Sequence, residues 1–424
     1  RTARPRPLYM RRTSEARTSA RRLASMLAGA ALASALGVWG FGAAKDLDAS
    51  APAAAYPTRA QLLDFSYIAD EYGRRAAADA RLGAATGLVL GSSELYPPAG
   101  MPEHPVELLA PGRSDVAIMA LGRPNCECLW QAIEAGALAS SDAPARIVLI
   151  PSLIWFSVAR RPAQEWPATF SQGAYDAFMS NPRISAALKD RVTKRLAAYN
   201  VDARVAGPSL EGVAAGVDAA VTKGVQTARR LFAPAGSGLP VAGVAVKGSD
   251  AVEDGRGATS EAGEPDWSSL YAGALAEDAR SCASNPWGVF DTWAQEGLSD
   301  FWRRASEWDE RDGDDLSLQE LDDFEMALEV CRELDIETMV LLQPVNGRLY
   351  DRTRYGFDAR RRYYRMVRDA CGRAGAKVAD FSSHEYDEFF LRDDNHPSHV
   401  GSLYYSRALY RFFARGEVAD DDLG

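Results

Sequence analysis

A serine hydroxyl is a weak nucleophile at neutral pH. An imidazole within hydrogen-bond reach, held in one tautomer by a carboxylate, makes it a usable one. The chain carries parts for that arrangement near its two ends. Residues 86–94 read Thr-Gly-Leu-Val-Leu-Gly-Ser-Ser-Glu, an apolar strand that runs into small residues and presents a hydroxyl at a strand-to-loop turn. Far toward the C-terminus stands Asp393-Asp394-Asn395-His396-Pro397, whose Asp-x-x-His supplies a base and a group to orient it. Gly-Ser-Ser alone is an ordinary turn sequence. The two motifs in this order point to a serine acyl-transfer enzyme.

The chain has only four histidines, His104, His384, His396 and His399, so the candidates for the base are few. His104, between Pro102 and Pro105, reads as loop, and His384 as a surface or packing residue. His396 has the carboxylate spacing; His399 stays open as the alternative base. Asp394 and Asn395 read as a helix cap or as solvated loop. Asn346 before Gly347 is a natural turn dipeptide.

These residues need a scaffold, and the apolar pattern supplies one. Val89-Leu90, 116–121 (Val-Ala-Ile-Met-Ala-Leu), 147–150 (Ile-Val-Leu-Ile), 339–342 (Met-Val-Leu-Leu) and 377–381 (Lys-Val-Ala-Asp-Phe) are short strands of the kind buried on both faces of a parallel sheet. Helical stretches over 127–139, 358–373 and 401–414 alternate with them, and Leu321, Phe324, Leu328 and Cys331 recur at helical spacing. The pattern predicts an α/β fold with a doubly wound parallel sheet, whose sites lie at the carboxyl ends of the strands. Gly91 and Gly122 stand at such ends.

Residues 155–315 interrupt the alternation and read as an insertion. Helices are expected near 184–199 and 292–306, while 205–265 is mostly small residues and reads as a loop. The acidic run Glu307–Asp315 fails as a calcium loop: with Gly313 at its sixth position, Trp308 falls at the first and Gln319 at the twelfth. The five cysteines have neither redox nor zinc spacing and read as buried or free thiols, with at most two disulfides. No cofactor or metal site is expected.

Residues 1–22 carry eight arginines and a single acid, Glu15, and Leu23–Ala44 then runs 22 residues without a charge. At about 1.5 Å per residue that run spans roughly 33 Å, enough for a bilayer core. The reading is a basic cytoplasmic tail (1–22), a transmembrane anchor (23–44), a linker (45–57) and an extracytoplasmic domain (58–424). A cleaved signal peptide is the rival, with Ala49-Ser50-Ala51 and Ala53-Ala54-Ala55 as cleavage sites; its apolar region is ordinarily shorter. Of 48 basic and 58 acidic residues, removing the eight and the one of the tail leaves 40 against 57, a formal charge of −17. Nucleic acid is an unsuitable partner for such a surface, and an anionic polymer needs a local basic patch.

With these residues in view, the chain resembles the DltD family, the membrane-anchored extracytoplasmic proteins of teichoic-acid D-alanylation in Gram-positive bacteria, relatives of the SGNH/GDSL hydrolases. The resemblance runs through Gly91-Ser92-Ser93-Glu94-Leu95, Ile150-Pro151 with Trp155-Phe156, and Pro344-Val345-Asn346-Gly347. It continues through Tyr350-Asp351, Gly356-Phe357-Asp358, Ala379-Asp380 and Asp393-x-x-His396. It is weak across 205–265.

The resemblance implies an SGNH-like (flavodoxin-like) fold, Ser93 as nucleophile, and Asp393 and His396 as its partners. The oxyanion contacts are open: the Ser93 N–H, a backbone N–H between Gly122 and Asn125, or the Asn346 side chain. Where the family has a Gly-Gly-Ser-Thr run, this chain reads Pro124-Asn125-Cys126-Glu127, and a second histidine follows His396. The implied reaction is transfer of D-alanyl groups to teichoic acid. The implied partners are that polymer and a D-alanyl carrier protein or membrane acyltransferase of the pathway. Arg352, Arg354, Arg360, Arg361, Arg362, Arg365 and Arg368 would form the patch that meets the phosphates, or else a solvated helix face. A secreted esterase or thioesterase using water, and a non-catalytic scaffold, are the alternatives.

Overall fold

Five strands build one parallel sheet: β1 (Ala85–Leu90), β2 (Val116–Leu121), β3 (Arg146–Leu149), β4 (Glu337–Leu342) and β5 (Lys377–Asp380), in the order β2-β1-β3-β4-β5. The computed structural model describes residues 57–203 and 263–418, apart from 83–84, 99, 112, 140–143, 158–159, 161, 202 and 311–315. The proposed tail, anchor and most of the linker, and most of the 205–265 stretch, lie outside the described residues. Among the described residues no helix is long and apolar enough to cross a membrane.

Among the described residues the helices of six residues or more are α1 (Phe65–Leu82), α2 (Cys128–Leu138), α3 (Gln172–Ser180), α4 (Ala186–Ala198), α5 (Trp267–Ser281), α6 (Asp291–Glu296), α7 (Leu298–Asp309), α8 (Leu318–Glu333), α9 (Phe357–Ala374) and α10 (His399–Arg415). The expected helix over 292–306 is two, parted at Gly297.

Side chains alternate faces along a strand, so a sheet with apolar residues at every position must be covered twice. Leu88, Leu90, Met119, Leu121, Ile147, Leu149, Val340 and Leu342 point into a core shared with α1 to α4 and α7 to α9. Val89, Ile118, Ala120, Val148, Ile150, Met339 and Leu341 point the other way, into a core with α5 and α10. This is the doubly wound α/β fold expected from the sequence, and it is consistent with an SGNH-like one.

The strand order reverses between β1 and β3: the chain leaves β1 for β2 on one side and returns past it to β3 on the other. Loops diverge there, and in such sheets the crevice at the carboxyl ends takes the ligand. Ser93 is the third residue beyond β1.

Between β3 and β4 the described residues add helices and no strand of the sheet; one isolated bridge, Ser157 with Leu316, closes the base of that excursion. All five cysteines are free and buried.

Candidate active site

β1 ends at Leu90, whose carbonyl accepts from the Ile150 N–H, and the Gly91 N–H donates to the Leu121 carbonyl at 3.0 Å. The chain then breaks from the sheet into a short 3₁₀ turn, Ser93–Leu95. Two contacts fix the break. The Ser92 N–H donates to the buried Glu94 carboxylate at 2.5 Å, and the Ser92 hydroxyl donates to the Arg123 carbonyl at 3.2 Å. Ser92 is thereby a buried strut, and Ser93, half-buried, is the hydroxyl left facing outward. Burial pushes the Glu94 carboxyl up to about 6 against the pull of its backbone hydrogen bonds and of His396.

His104, read as loop, is fully buried beneath this turn. Its Nε2 is 3.0 Å from the Glu94 carbonyl and its Nδ1 accepts the Val106 N–H at 3.3 Å, so it is neutral with the proton on Nε2. Burial lowers its pKa to about 4, helped by the nearby Arg392 and His396. It props up the turn and cannot serve as a base. The signal available in sequence was Pro105 at the first position of a short helix that His104 caps.

At the other end of the chain, Asp393 and His396 do not sit in a helical turn. They lie on a loop closed by a bridge between Leu391 and Pro397, and the Arg392 N–H donates to the His396 carbonyl at 3.0 Å. One Asp393 oxygen accepts the backbone N–H groups of Asn395 (2.9 Å) and His396 (2.7 Å), an Asx-type turn; the other accepts from His396 Nδ1 at 2.8 Å. Ser398 caps α10 by accepting the Gly401 N–H. Gly401 lets the helix close on the loop, because a Cβ there would stand 2.1 Å from the Phe390 carbonyl oxygen.

The two ends meet. Ser93 Oγ is 2.9 Å from His396 Nε2, with Asp393 on the ring's far nitrogen. Burial alone would raise the Asp393 carboxyl. His396, Arg392 and the Asn395 N–H outweigh it and hold the group at about 2. For His396 burial lowers the pKa, yet the Asp393 charge and hydrogen bond win and place it above the usual histidine value of 6.5.

His399 is engaged elsewhere. Its Nδ1 pairs with the fully buried Asp278 of α5 at 2.7 Å, and its ring stacks on Phe290 with centroids 5.6 Å apart. It is a clamp between α5 and α10.

Gly122, one residue beyond β2, runs hard against the Ser92 peptide: a Cβ would stand 2.0 Å from the Gly91 carbonyl oxygen and 2.8 Å from the Ser92 nitrogen. Its φ of 157° adds to the demand for glycine. Among the described residues neither the Ser93 N–H nor the Gly122 N–H meets an acceptor.

Asn346 follows β4 and is buried, with both side-chain atoms in use. Its oxygen caps the short helix Gly347–Tyr350 by accepting the Leu349 N–H at 3.1 Å. Its Nδ2 donates to the Trp287 carbonyl at 3.0 Å. The turn reading thus accounts for this carboxamide.

Asp394, expected to cap or solvate, is instead buried, with the Tyr350 hydroxyl at 3.3 Å and Arg304 Nη2 at 3.4 Å. Burial, then the neighbouring Asp393, raises its pKa.

The seven-arginine patch does not survive as a unit. Arg360 is wholly buried, donating to Glu385 (2.6 Å), Asp351 (3.0 Å) and the Tyr355 carbonyl (3.0 Å), and Arg368 is paired with Asp380. Removing one partner of a buried ion pair strands the other, at a cost of about 3–5 kcal/mol. Arg360→Met is therefore expected to lower the urea midpoint by that equivalent. An unchanged midpoint would show that Glu385 is satisfied without it.

Comparison with known proteins gives the family. The family described as "DltD protein" matches residues 70–414, from within α1 to the last turn of α10. Protein DltD of Bacillus subtilis (strain 168) is 38% identical over 99 residues, which is 23% of this chain and 25% of that protein. The matched stretch thus spans a quarter of the relative's length. The family match extends over most of the chain and takes in every residue of the site described above: this protein belongs to the DltD family.

Proposed function

We propose that this chain is a serine acyltransferase that moves D-alanyl groups onto teichoic-acid hydroxyls outside the membrane. The observation that carries the proposal is the Ser93–His396–Asp393 chain of contacts, 2.9 Å and 2.8 Å long. Membership of the DltD family supplies the pathway, and the uncharged 23–44 segment supplies the anchor that puts the domain on the outer face.

In this mechanism His396, neutral above its pKa, takes the Ser93 proton as Oγ attacks the carbonyl of an activated D-alanyl group. The imidazolium is stabilised by Asp393, ionised at any physiological pH. The tetrahedral oxyanion rests on the Ser93 and Gly122 N–H groups; one such donor contributes about 3 kcal/mol to the transition state. His396 returns the proton to the leaving group, a D-alanyl carrier or a partner acyltransferase. It then deprotonates a polymer hydroxyl, which resolves the acyl-enzyme. The ammonium of D-alanine suits an acidic exterior.

A fluorophosphonate tests the assignment of nucleophile and base. Wild type and His399→Gln (which keeps a donor toward Asp278) are expected to label at Ser93, and His396→Ala to label at least about a hundredfold more slowly. Equal labelling of His396→Ala and wild type would exclude His396 as the base.

A further inference from the structure

The segment Trp287–Phe290, contributed by the stretch between β3 and β4, is laid between the two loops that flank the triad. The Trp287 carbonyl accepts from Asn346 Nδ2, and the Phe290 N–H donates to the Arg392 carbonyl at 2.8 Å. The Asn346 N–H in turn donates to the Asp394 carbonyl at 2.9 Å, tying the β4 loop to the triad loop.

Two guanidinium groups border this segment, and a third belongs to the residue whose backbone carbonyl it meets. Arg348 Nη1 lies against Gly288, 2.7 Å from where a Cβ would be. The Arg352 guanidinium sits 4.6 Å from the centre of the Trp287 ring. Among the described residues the Arg392 guanidinium, beside the triad, meets only Asp393 Oδ2 at 3.6 Å and Met101 Sδ at 4.0 Å.

Their neighbours are spoken for: Arg304 by Asp300 and Asp394, Arg360 by Glu385 and Asp351. Among the described residues, Arg348 and Arg352 have no carboxylate within ion-pair reach, and Arg392 has just the long contact to Asp393. Guanidinium forks with free donors, one held over an indole, match phosphate oxygens in geometry and charge. On a domain this acidic they also supply the local field that a polyanion needs.

We infer that Arg348, Arg352 and Arg392 form an anion track along Trp287–Phe290 that seats the phosphodiesters of the acceptor polymer and brings the intervening hydroxyl to Ser93. This assignment rests on the acyltransferase reading for its acceptor. It goes beyond that reading in naming what selects a phosphodiester-linked polyol over water or a neutral alcohol.

The test is binding, read without turnover. A glycerol-phosphate oligomer is titrated by calorimetry into the full chain in neutral detergent. Arg348→Gln/Arg352→Gln is expected to raise Kd tenfold or more, as is Arg392→Gln, and Arg348→Lys/Arg352→Lys to recover part of the loss. Lys194→Gln/Arg332→Gln removes the same charge from α4 and from α8, where the two side chains pair with Asp190 and Glu329 rather than touch the track; it is expected to stay within twofold. Unfolding midpoints accompany each variant.

Equal weakening in both doubles would reduce the effect to net charge and overturn the track. So would oligomer binding that ignores all three arginines. Arginine-dependent binding of phosphatidylglycerol vesicles with none of the oligomer would overturn it in favour of a membrane contact. A chain that binds the oligomer through these arginines yet transfers no acyl group would sink the proposed reaction and leave the track standing.

Discussion

Ser93→Ala is expected to lower kcat/KM for acyl transfer by about 10⁴- to 10⁶-fold, the range seen when a nucleophile acting in concert with its base is removed. The Ser93 hydroxyl has one described partner, His396 Nε2, so the change removes the nucleophile and little else. The half-buried position and the 3₁₀ turn both accept alanine, and the turn is held by Ser92 and Glu94 rather than by Ser93. Stability should therefore move by no more than about 0.5 kcal/mol. The measurement is single-turnover transfer from a D-alanyl thioester, with thermal unfolding alongside. Activity within tenfold of wild type would leave a scaffold as the better description of the protein.

Asp393→Asn is expected to cost about 10⁴-fold in kcat while the loop stays folded. The asparagine oxygen can still accept the two backbone N–H groups, which leaves its amide facing His396 Nδ1. That amide donates where the carboxylate accepted, so the imidazole turns its lone pair to Nδ1 and its proton to Nε2. Ser93 then faces a nitrogen that cannot take its proton. The pH profile adds a second signature. In wild type, kcat/KM rises as His396 loses its proton, and since the Asp393 charge holds that pKa above 6.5, the ascending limb lies above the ordinary histidine value. Asp393, at about 2, contributes no limb near neutrality. Without the carboxylate the residual activity should ascend at lower pH. A limb that stays in place would mean that another group controls it.

The sheet was legible in sequence because its strands are buried on both faces, and a short uncharged run has few alternatives. β2 occupies the expected residues 116–121. The closeness of Asp393 to His396 was legible from their spacing. Proximity of Asp393 and His396 comes from a loop closed by Leu391 and Pro397, not from helical periodicity. What escaped were buried polar groups whose partners are remote in sequence. His104 stands between prolines and Arg360 within a run of arginines, so the one read as loop and the other as surface. Their burial is set by the Glu94 carbonyl in one case and by Glu385 in the other. No local pattern encodes such pairings. The unmatched Pro124-Asn125-Cys126-Glu127 run concealed a different point: the tight approach to the Ser92 peptide belongs to Gly122, before that run begins.

The hydroxyl and the imidazole it depends on are 303 residues apart along the chain. Every strand of the sheet lies at or between those two positions in sequence, apart from β1, which delivers the first of them. Contacts of such long separation carry the largest loop-closure cost and form only once the intervening structure has docked. In the proposed mechanism, a chain not yet complete, or one clipped anywhere between the two motifs and separated, has either a serine without a base or a base without a serine. On that mechanism, catalytic competence would be a report that the whole domain has assembled.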